Sequence, residues 1–192
     1  MTLSEKDALY NWHPYTQHQT IGLLPAIVKG KDALLWDENG KEYIDAIASW
    51  WVNPYGHSNE AIANAIYQQL ITLEHVLFGG FTNKPAVLLA EKLMQILPSN
   101  QRKFFYSDNG STAVEVAIKM TLQYWHNIGQ LKNTFLAFED SYHGDTFGAM
   151  AVGAKNVFNE PFGNAAFEVI HLPIPTANNI TELLEKIADL SL

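Results

Sequence analysis

From Arg102 onward the chain alternates between strand-like and helix-like patterning, and that alternation limits its fold more than any other feature. Lys103-Phe104-Phe105-Tyr106 has strand composition, Ser111 to His126 carries helix-spaced apolar residues, and Thr134-Phe135-Leu136-Ala137-Phe138 is strand-like again. A further apolar run, Phe167-Glu168-Val169-Ile170-His171-Leu172, precedes an amphipathic helix opened by Asn179-Ile180-Thr181-Glu182 and carrying Leu183, Leu184, Ile187 and Leu190. Strand, helix, strand in this order predicts an α/β fold with a parallel sheet.

The first hundred residues read differently. Residues 1–22 are polar and aromatic by turns and are expected to form an irregular arm. Between Ala26 and Ile47, Ala33-Leu34-Leu35-Trp36 and Tyr43-Ile44-Asp45-Ala46-Ile47 flank Asp37-Glu38-Asn39-Gly40. Asn-Gly tolerates positive φ, so a hairpin within a β meander is predicted. Ser58 or Asn59 can cap a helix with an apolar stripe through Ile62, Ile66 and Leu73, and a second helix starts at Asn83-Lys84-Pro85 and stops before Pro98. The expected division is an arm and meander over residues 1–57 and part of a larger α/β domain over 58–192.

Composition narrows the function. Apolar residues make up 47% of the 192, which excludes disorder as the main state. The formal charge is −8 and Arg102 is the sole arginine, so nucleic acid is not an expected partner. Charged residues are 17%, below the usual ~25%, which points to surface not meant to face water. There is no cysteine, hence no disulfide, thiolate nucleophile or cysteine zinc site, and the histidines lack metal-site spacing. Met1 to His13 has no signal-peptide pattern and no apolar stretch is long enough to span a bilayer, so a cytoplasmic protein without membrane partners is expected.

Three segments carry chemistry. In Tyr106-Ser107-Asp108-Asn109-Gly110-Ser111-Thr112 a strand-like run meets a helix through a small, hydroxyl-rich turn, where unpaired N–H groups and the helix dipole can receive an anion. An ordinary helix start capped by Asp108 or Ser111 is the competing interpretation. In Ser141-Tyr142-His143-Gly144-Asp145-Thr146-Phe147-Gly148, Tyr142 can stack on a planar ring, and His143 or Asp145 can orient it or exchange protons; a polar turn with a packing aromatic is the alternative. Trp12-His13-Pro14-Tyr15-Thr16 and Ala48-Ser49-Trp50-Trp51 are aromatic clusters. Adjacent tryptophans in a strand would face opposite ways, so that one lines a pocket or interface; ordinary core packing is the competing interpretation and the commoner outcome for such a pair. Glu115 and Lys119 are spaced for a helix-face ion pair, and the helix that carries them is apolar almost all round, as helices buried on several sides are.

Trp12-His13-Pro14-Tyr15-Thr16, Ser49-Trp50-Trp51, the helix motif Asp108 to Lys119 and Tyr142 to Gly148 occur in that order. Together they make the chain resemble the N-terminal part of the class III, pyridoxal-phosphate-dependent aminotransferases of fold type I. The helix motif is shared across class III. The Trp-His-Pro-Tyr-Thr and double-Trp segments are similar to the biotin-biosynthesis branch, the adenosylmethionine–8-amino-7-oxononanoate aminotransferases. The resemblance runs over nearly the whole chain and weakens after about Gly153.

The resemblance implies pyridoxal 5'-phosphate as cofactor, with Gly110 and Ser111 at its phosphate and Tyr142 on its ring. It implies a substrate pocket lined by Tyr15, Trp50 and Tyr142, and a homodimer whose sites the partner subunit completes. It implies transfer of an amino group, usually from S-adenosylmethionine, to 8-amino-7-oxononanoate to give 7,8-diaminononanoate. In the family the Schiff-base lysine and the aspartate at the pyridinium nitrogen lie beyond the position of Leu192, and Lys103, Lys119, Lys132 and Lys155 match neither. The chain is therefore expected to hold no catalytic lysine and to be inactive alone. Two alternatives stay open: another class III enzyme acting on an ω-amino acid or acetylornithine, and a non-catalytic split subunit or degenerate paralogue.

Overall fold

The computed structural model describes residues 1–157, 159–165, 167 and 169–190, with residues 163–165 described by their backbone. The chain forms two compact units, Met1–Lys92 and Leu93–Leu192.

The first unit opens with helix α1 (Leu3–Tyr10), where an irregular arm was expected. Its cause is capping. Thr2 Oγ1 accepts from the Glu5 N–H at 3.2 Å, and the Glu5 carboxylate accepts from the Thr2 N–H at 2.7 Å. The Glu38 carboxylate then accepts from the N–H groups of Leu3 and Ser4 at 2.8 and 3.0 Å, placing a negative charge on the helix N-terminus. The helix carries almost no apolar periodicity, so pattern reading misses it.

Strands β1 (Ile27–Lys31), β2 (Leu34–Asp37) and β3 (Glu42–Ile44) pair antiparallel in sequence order, the meander that was expected. At the hairpin Gly40 takes a φ of 80° and Asn39 keeps negative φ. Buried Asp37 organises the turn instead. Its Oδ1 accepts from the N–H groups of Asn39 and Lys41, both at 2.9 Å, and its Oδ2 from the Tyr43 hydroxyl at 2.9 Å.

The strand expected to carry the tryptophan pair is absent. Ala48–Trp51 instead forms α2, a single left-handed turn with φ of 50°, 48°, 64° and 67°. Helix α3 (Glu60–Thr72) follows, capped by Asn59, whose Oδ1 accepts from the Ile62 N–H at 3.2 Å. Ser58, the other candidate cap, donates to the Gly30 carbonyl at 2.8 Å. Helix α4 (Lys84–Met94) begins where the Ala86 N–H donates to Asn83 Oδ1 at 3.0 Å.

The second unit contains α5 (Gly110–Asn127), β4 (Phe135–Phe138), α6 (Phe147–Val152), a 3-10 segment (Glu160–Ala165), β5 (Val169–Leu172) and α7 (Ile180–Leu190). Strands β4 and β5 pair in parallel, Phe135 opposite Val169 and Phe138 opposite Leu172. Glu168, in the run expected to form this strand, lies outside the described residues. Lys103–Tyr106 is not a strand. A strand exists only where a neighbouring ladder accepts it, and among the described residues β4 pairs only with β5.

Among the described residues the buried apolar side chains are Ile118, Ala149, Val152, Leu172 and Leu183, all in the second unit, whose core lies around α6, packed on α5, β4 and β5. Helix α5, expected to be buried on several sides, buries Ile118 alone and leaves Tyr124 58% exposed, because the described residues cover one of its faces. The accessible surface is 15525 Å². Two separate globules of half this mass would expose about 11,000 Å² together. Much of the chain's apolar surface is thus uncovered. Among the described residues no helix is long and apolar enough to cross a membrane.

Candidate active site

In the second unit a cleft of about 750 Å³ opens at the N-terminus of α5, lined on one side by Asn109, Gly110, Ser111 and Val114 and on the other by the Tyr142–Thr146 loop. The cap of α5 is Asn109, not Asp108 or Ser111. Asn109 Oδ1 accepts from the Thr112 N–H at 2.9 Å, and Thr112 Oγ1 accepts from the Asn109 N–H at 3.2 Å. That arrangement leaves the N–H groups of Gly110 and Ser111 without hydrogen-bond partners among the described residues. A Cβ at Gly110 would meet nothing within 4 Å, so the space before these donors is open.

The loop is bound to α5 by a chain of hydroxyls. Thr146 N–H donates to Ser111 Oγ at 3.0 Å, and the two hydroxyls lie 2.8 Å apart. Thr146 Oγ1 donates to Glu115 Oε1 at 2.6 Å, and the same oxygen accepts from the N–H groups of Gly148 and Ala149 at 2.6 and 3.1 Å. The Glu115 carboxylate therefore sits on the first turn of α6, and the Lys119 charge adds only a minor attraction. The hydrogen bond from Thr146 holds its carboxyl below the ordinary range, against the opposing effect of burial and with help from the Ala149 and Gly148 N–H groups.

Two glycines make this contact possible. A Cβ on Gly144, at φ 120°, would overlap Ser111, lying 2.7 Å from its Cα. One on Gly148 would lie 2.5 Å from Glu115 Oε2. The Gly-Asp-Thr-Phe-Gly sequence thus lets the loop lie directly on α5. Tyr142 stands at the rim, 75% exposed, and its hydroxyl donates to Asp145 Oδ2 at 2.8 Å. That bond, and desolvation after it, push the phenol pKa up. Gly110, Ser111 and Tyr142, read from the sequence as one site, line one cleft.

In the first unit Tyr15 and Trp50 meet edge to face, with ring centroids 5.8 Å apart and planes at 70°. The Trp-His-Pro-Tyr turn is held by the His13 ring, 2.7 Å from Asp7 Oδ2, and by the His13 N–H, which donates to His18 Nε2 at 2.8 Å. The resemblance implied that Tyr15 and Trp50 line one pocket; the fold sets their rings against each other. Sequence reasoning missed Thr146, and it gave Glu115 a surface role.

A parallel strand pair beside an open helix N-terminus and an exposed aromatic ring is an arrangement able to receive a planar, anionic ligand. The sequence profile of the family described as Aminotransferase class-III matches residues 15–191, and the chain belongs to that family. It is 52% identical over 164 residues to the adenosylmethionine-8-amino-7-oxononanoate aminotransferase of Synechococcus elongatus, covering 85% of this chain and 39% of that protein. The enzyme of the same name from Staphylococcus aureus is 45% identical over 180 residues, or 91% of this chain and 40% of the relative.

Among solved structures, the adenosylmethionine-8-amino-7-oxononanoate aminotransferase of Methanocaldococcus jannaschii superposes with a TM-score of 0.88 at 38% identity, over 97% of this chain and 44% of that one. An omega transaminase from Pseudomonas jessenii, determined in complex with PMP, gives 0.85 at 27% identity, over 100% of this chain and 46% of that one. The chain spans about two-fifths of the length of the curated relatives it matches.

Proposed function

We propose that the full-length protein is a pyridoxal-phosphate-dependent aminotransferase that transfers an amino group, with S-adenosylmethionine as donor, to 8-amino-7-oxononanoate, giving 7,8-diaminononanoate for biotin synthesis. One observation carries this reading: the open N–H groups of Gly110 and Ser111 face a cleft rimmed by Tyr142, in a chain 52% identical to an enzyme of that name. The cleft fits the cofactor. It has the volume for a phosphorylated pyridine, two donors at the positive end of an 18-residue helix for the phosphate, and a neutral aromatic ring for the pyridine face.

When bound, the cofactor supplies the electron sink that amino transfer needs. This chain's own residues bind and orient. Gly110 and Ser111 would donate to the phosphate and Tyr142 would lie against the ring. In the first unit, the paired rings of Tyr15 and Trp50 would meet the substrate. No lysine among the described residues lines the cleft. The exposed apolar faces, including α5 at Tyr124, would be covered by the rest of the protein and by a second copy in a homodimer.

The similarity to an omega transaminase supports a second reading, a class III enzyme for ω-amines. Mass spectrometry of the full-length holoenzyme incubated with 8-amino-7-oxononanoate and S-adenosylmethionine separates the two. The first reading gives 7,8-diaminononanoate. Turnover of an ω-amine with pyruvate and none of the oxononanoate gives the second.

A further inference from the structure

Ala48 to Trp51 are four consecutive non-glycine residues at positive φ. L-residues visit this region singly, because a left-handed turn brings each Cβ close to the following carbonyl. The backbone closes the turn through the Trp51 N–H, which donates to the Ile47 carbonyl at 2.9 Å, and the Asn53 N–H, which donates to that of Ala48 at 3.0 Å. A right-handed turn would form equivalent bonds without the steric cost, so these do not select the left-handed form.

Asp45 does. Its Oδ1 accepts from the Ser49 N–H at 2.9 Å, and its Oδ2 accepts from Ser49 Oγ and from His57 Nε2, both at 2.7 Å. The bonds from Ser49 and then from His57 hold the Asp45 carboxyl well below the ordinary range. A carboxylate has no proton to give, so Nε2 carries the proton of this contact. The pair is partly buried, its side chains 6% exposed for Asp45 and 15% for His57.

Both residues are fastened to the meander. The Asp45 N–H donates to the Ala33 carbonyl at 2.8 Å, and His57 and Asp32 exchange two backbone bonds of 2.8 and 3.1 Å. Gly30 leaves the room that His57 fills, since a Cβ there would lie 2.9 Å from the His57 Cβ. This hydrogen-bonded frame grips Ser49, and the next residue is Trp50.

We propose that Asp45 and His57 are positioning residues, a clamp that imposes the left-handed turn and so fixes the Trp50 ring against Tyr15 in the substrate pocket. The proposal rests on the reading of Trp50 as a pocket residue. The clamp acts through Ser49, by its backbone N–H and its hydroxyl.

The test uses the full-length holoenzyme with two readouts, near-ultraviolet circular dichroism and the kinetics of 8-amino-7-oxononanoate amination. His57→Leu removes the donor; it should change the tryptophan bands and raise KM about tenfold, with kcat changed less. His57→Gln, which can present an amide N–H near the Nε2 position, should restore both. Ala48→Gly in the His57→Leu background should restore part of both, since it removes one Cβ from the left-handed region.

In a Trp50→Ala background, His57→Leu should add no further kinetic loss. Ser49→Ala, which removes one bond and keeps the His57 pair, should show the same signature at smaller amplitude, and decides the matter if His57→Leu does not fold. Wild-type tryptophan bands in both His57→Leu and Ser49→Ala overturn the clamp. A His57→Leu loss that persists undiminished on Trp50→Ala overturns its action through Trp50. Unchanged kinetics on Trp50→Ala alone overturn the pocket reading instead, and the circular dichroism still decides the clamp.

Discussion

The hydroxyl of Ser111 gives its proton to Thr146. Glu115 can only accept, so the Thr146 hydroxyl proton points at Glu115 Oε1, and the 2.8 Å contact between the two hydroxyls must be donated by Ser111. The Thr146 N–H also donates to Ser111 Oγ. The side chain of Ser111 is therefore a fastening between α5 and the Tyr142 loop, and its backbone N–H is the donor left for an anion.

Thr146→Val in the full-length protein keeps the shape and removes the central hydroxyl. The cofactor dissociation constant should rise about tenfold, the effect of losing one or two partly buried hydrogen bonds. Thr146→Ser should stay near wild type. Absorbance titration with pyridoxal 5'-phosphate reads both.

Glu115 makes the same fastening sensitive to acid. Its folded pKa lies below the ordinary 4.5, so its contribution to stability is fully present above that value and is lost as the pH falls through the lower, folded one. Glu115→Gln should therefore melt below wild type at pH 7, and the gap should narrow as the pH drops below 4. Thermal melts followed by circular dichroism at both pH values check the sign.

Tyr142 separates stacking from hydrogen bonding. Tyr142→Phe loses only the bond to Asp145, which is exposed, and should change cofactor affinity less than about threefold. Tyr142→Ala removes the ring and should weaken binding about tenfold or more. Equal effects from the two variants would assign the residue's role to its hydroxyl.

Trp50 and Tyr15 bear on substrate choice. Trp50→Ala should lower kcat/KM for 8-amino-7-oxononanoate about tenfold or more, with a smaller effect on a short ω-amine that does not reach the two rings. Steady-state kinetics with the two substrates measures the ratio.

Much of this was legible in the sequence where the cause is local. The Gly-Ser turn before an apolar helix and the parallel pair β4–β5 follow from turn chemistry and periodicity; the hairpin was legible at Asn-Gly, although Asp37 organises its turn. Helix α1 was not legible, because the Thr2–Glu5 capping box and the Glu38 carboxylate cause it without an apolar stripe. Lys103–Tyr106 has strand composition, but β4 pairs only with β5 among the described residues.

The left-handed turn at Ala48–Trp51 depends on a histidine 12 residues from Asp45, a contact that no window of periodicity reports. Glu115 was read as half of an i,i+4 pair because that geometry is visible in a helix, whereas Thr146 lies 31 residues away. The glycines at 144 and 148 were the available signal. Their spacing marks a loop lying hard against another element.

The most direct test of the central claim is a crystal structure of the full-length protein with pyridoxal 5'-phosphate. The account predicts phosphate oxygens at about 3 Å from the backbone nitrogens of Gly110 and Ser111, with the pyridine ring on Tyr142. A phosphate held away from the start of α5, with those two N–H groups facing water, would contradict it.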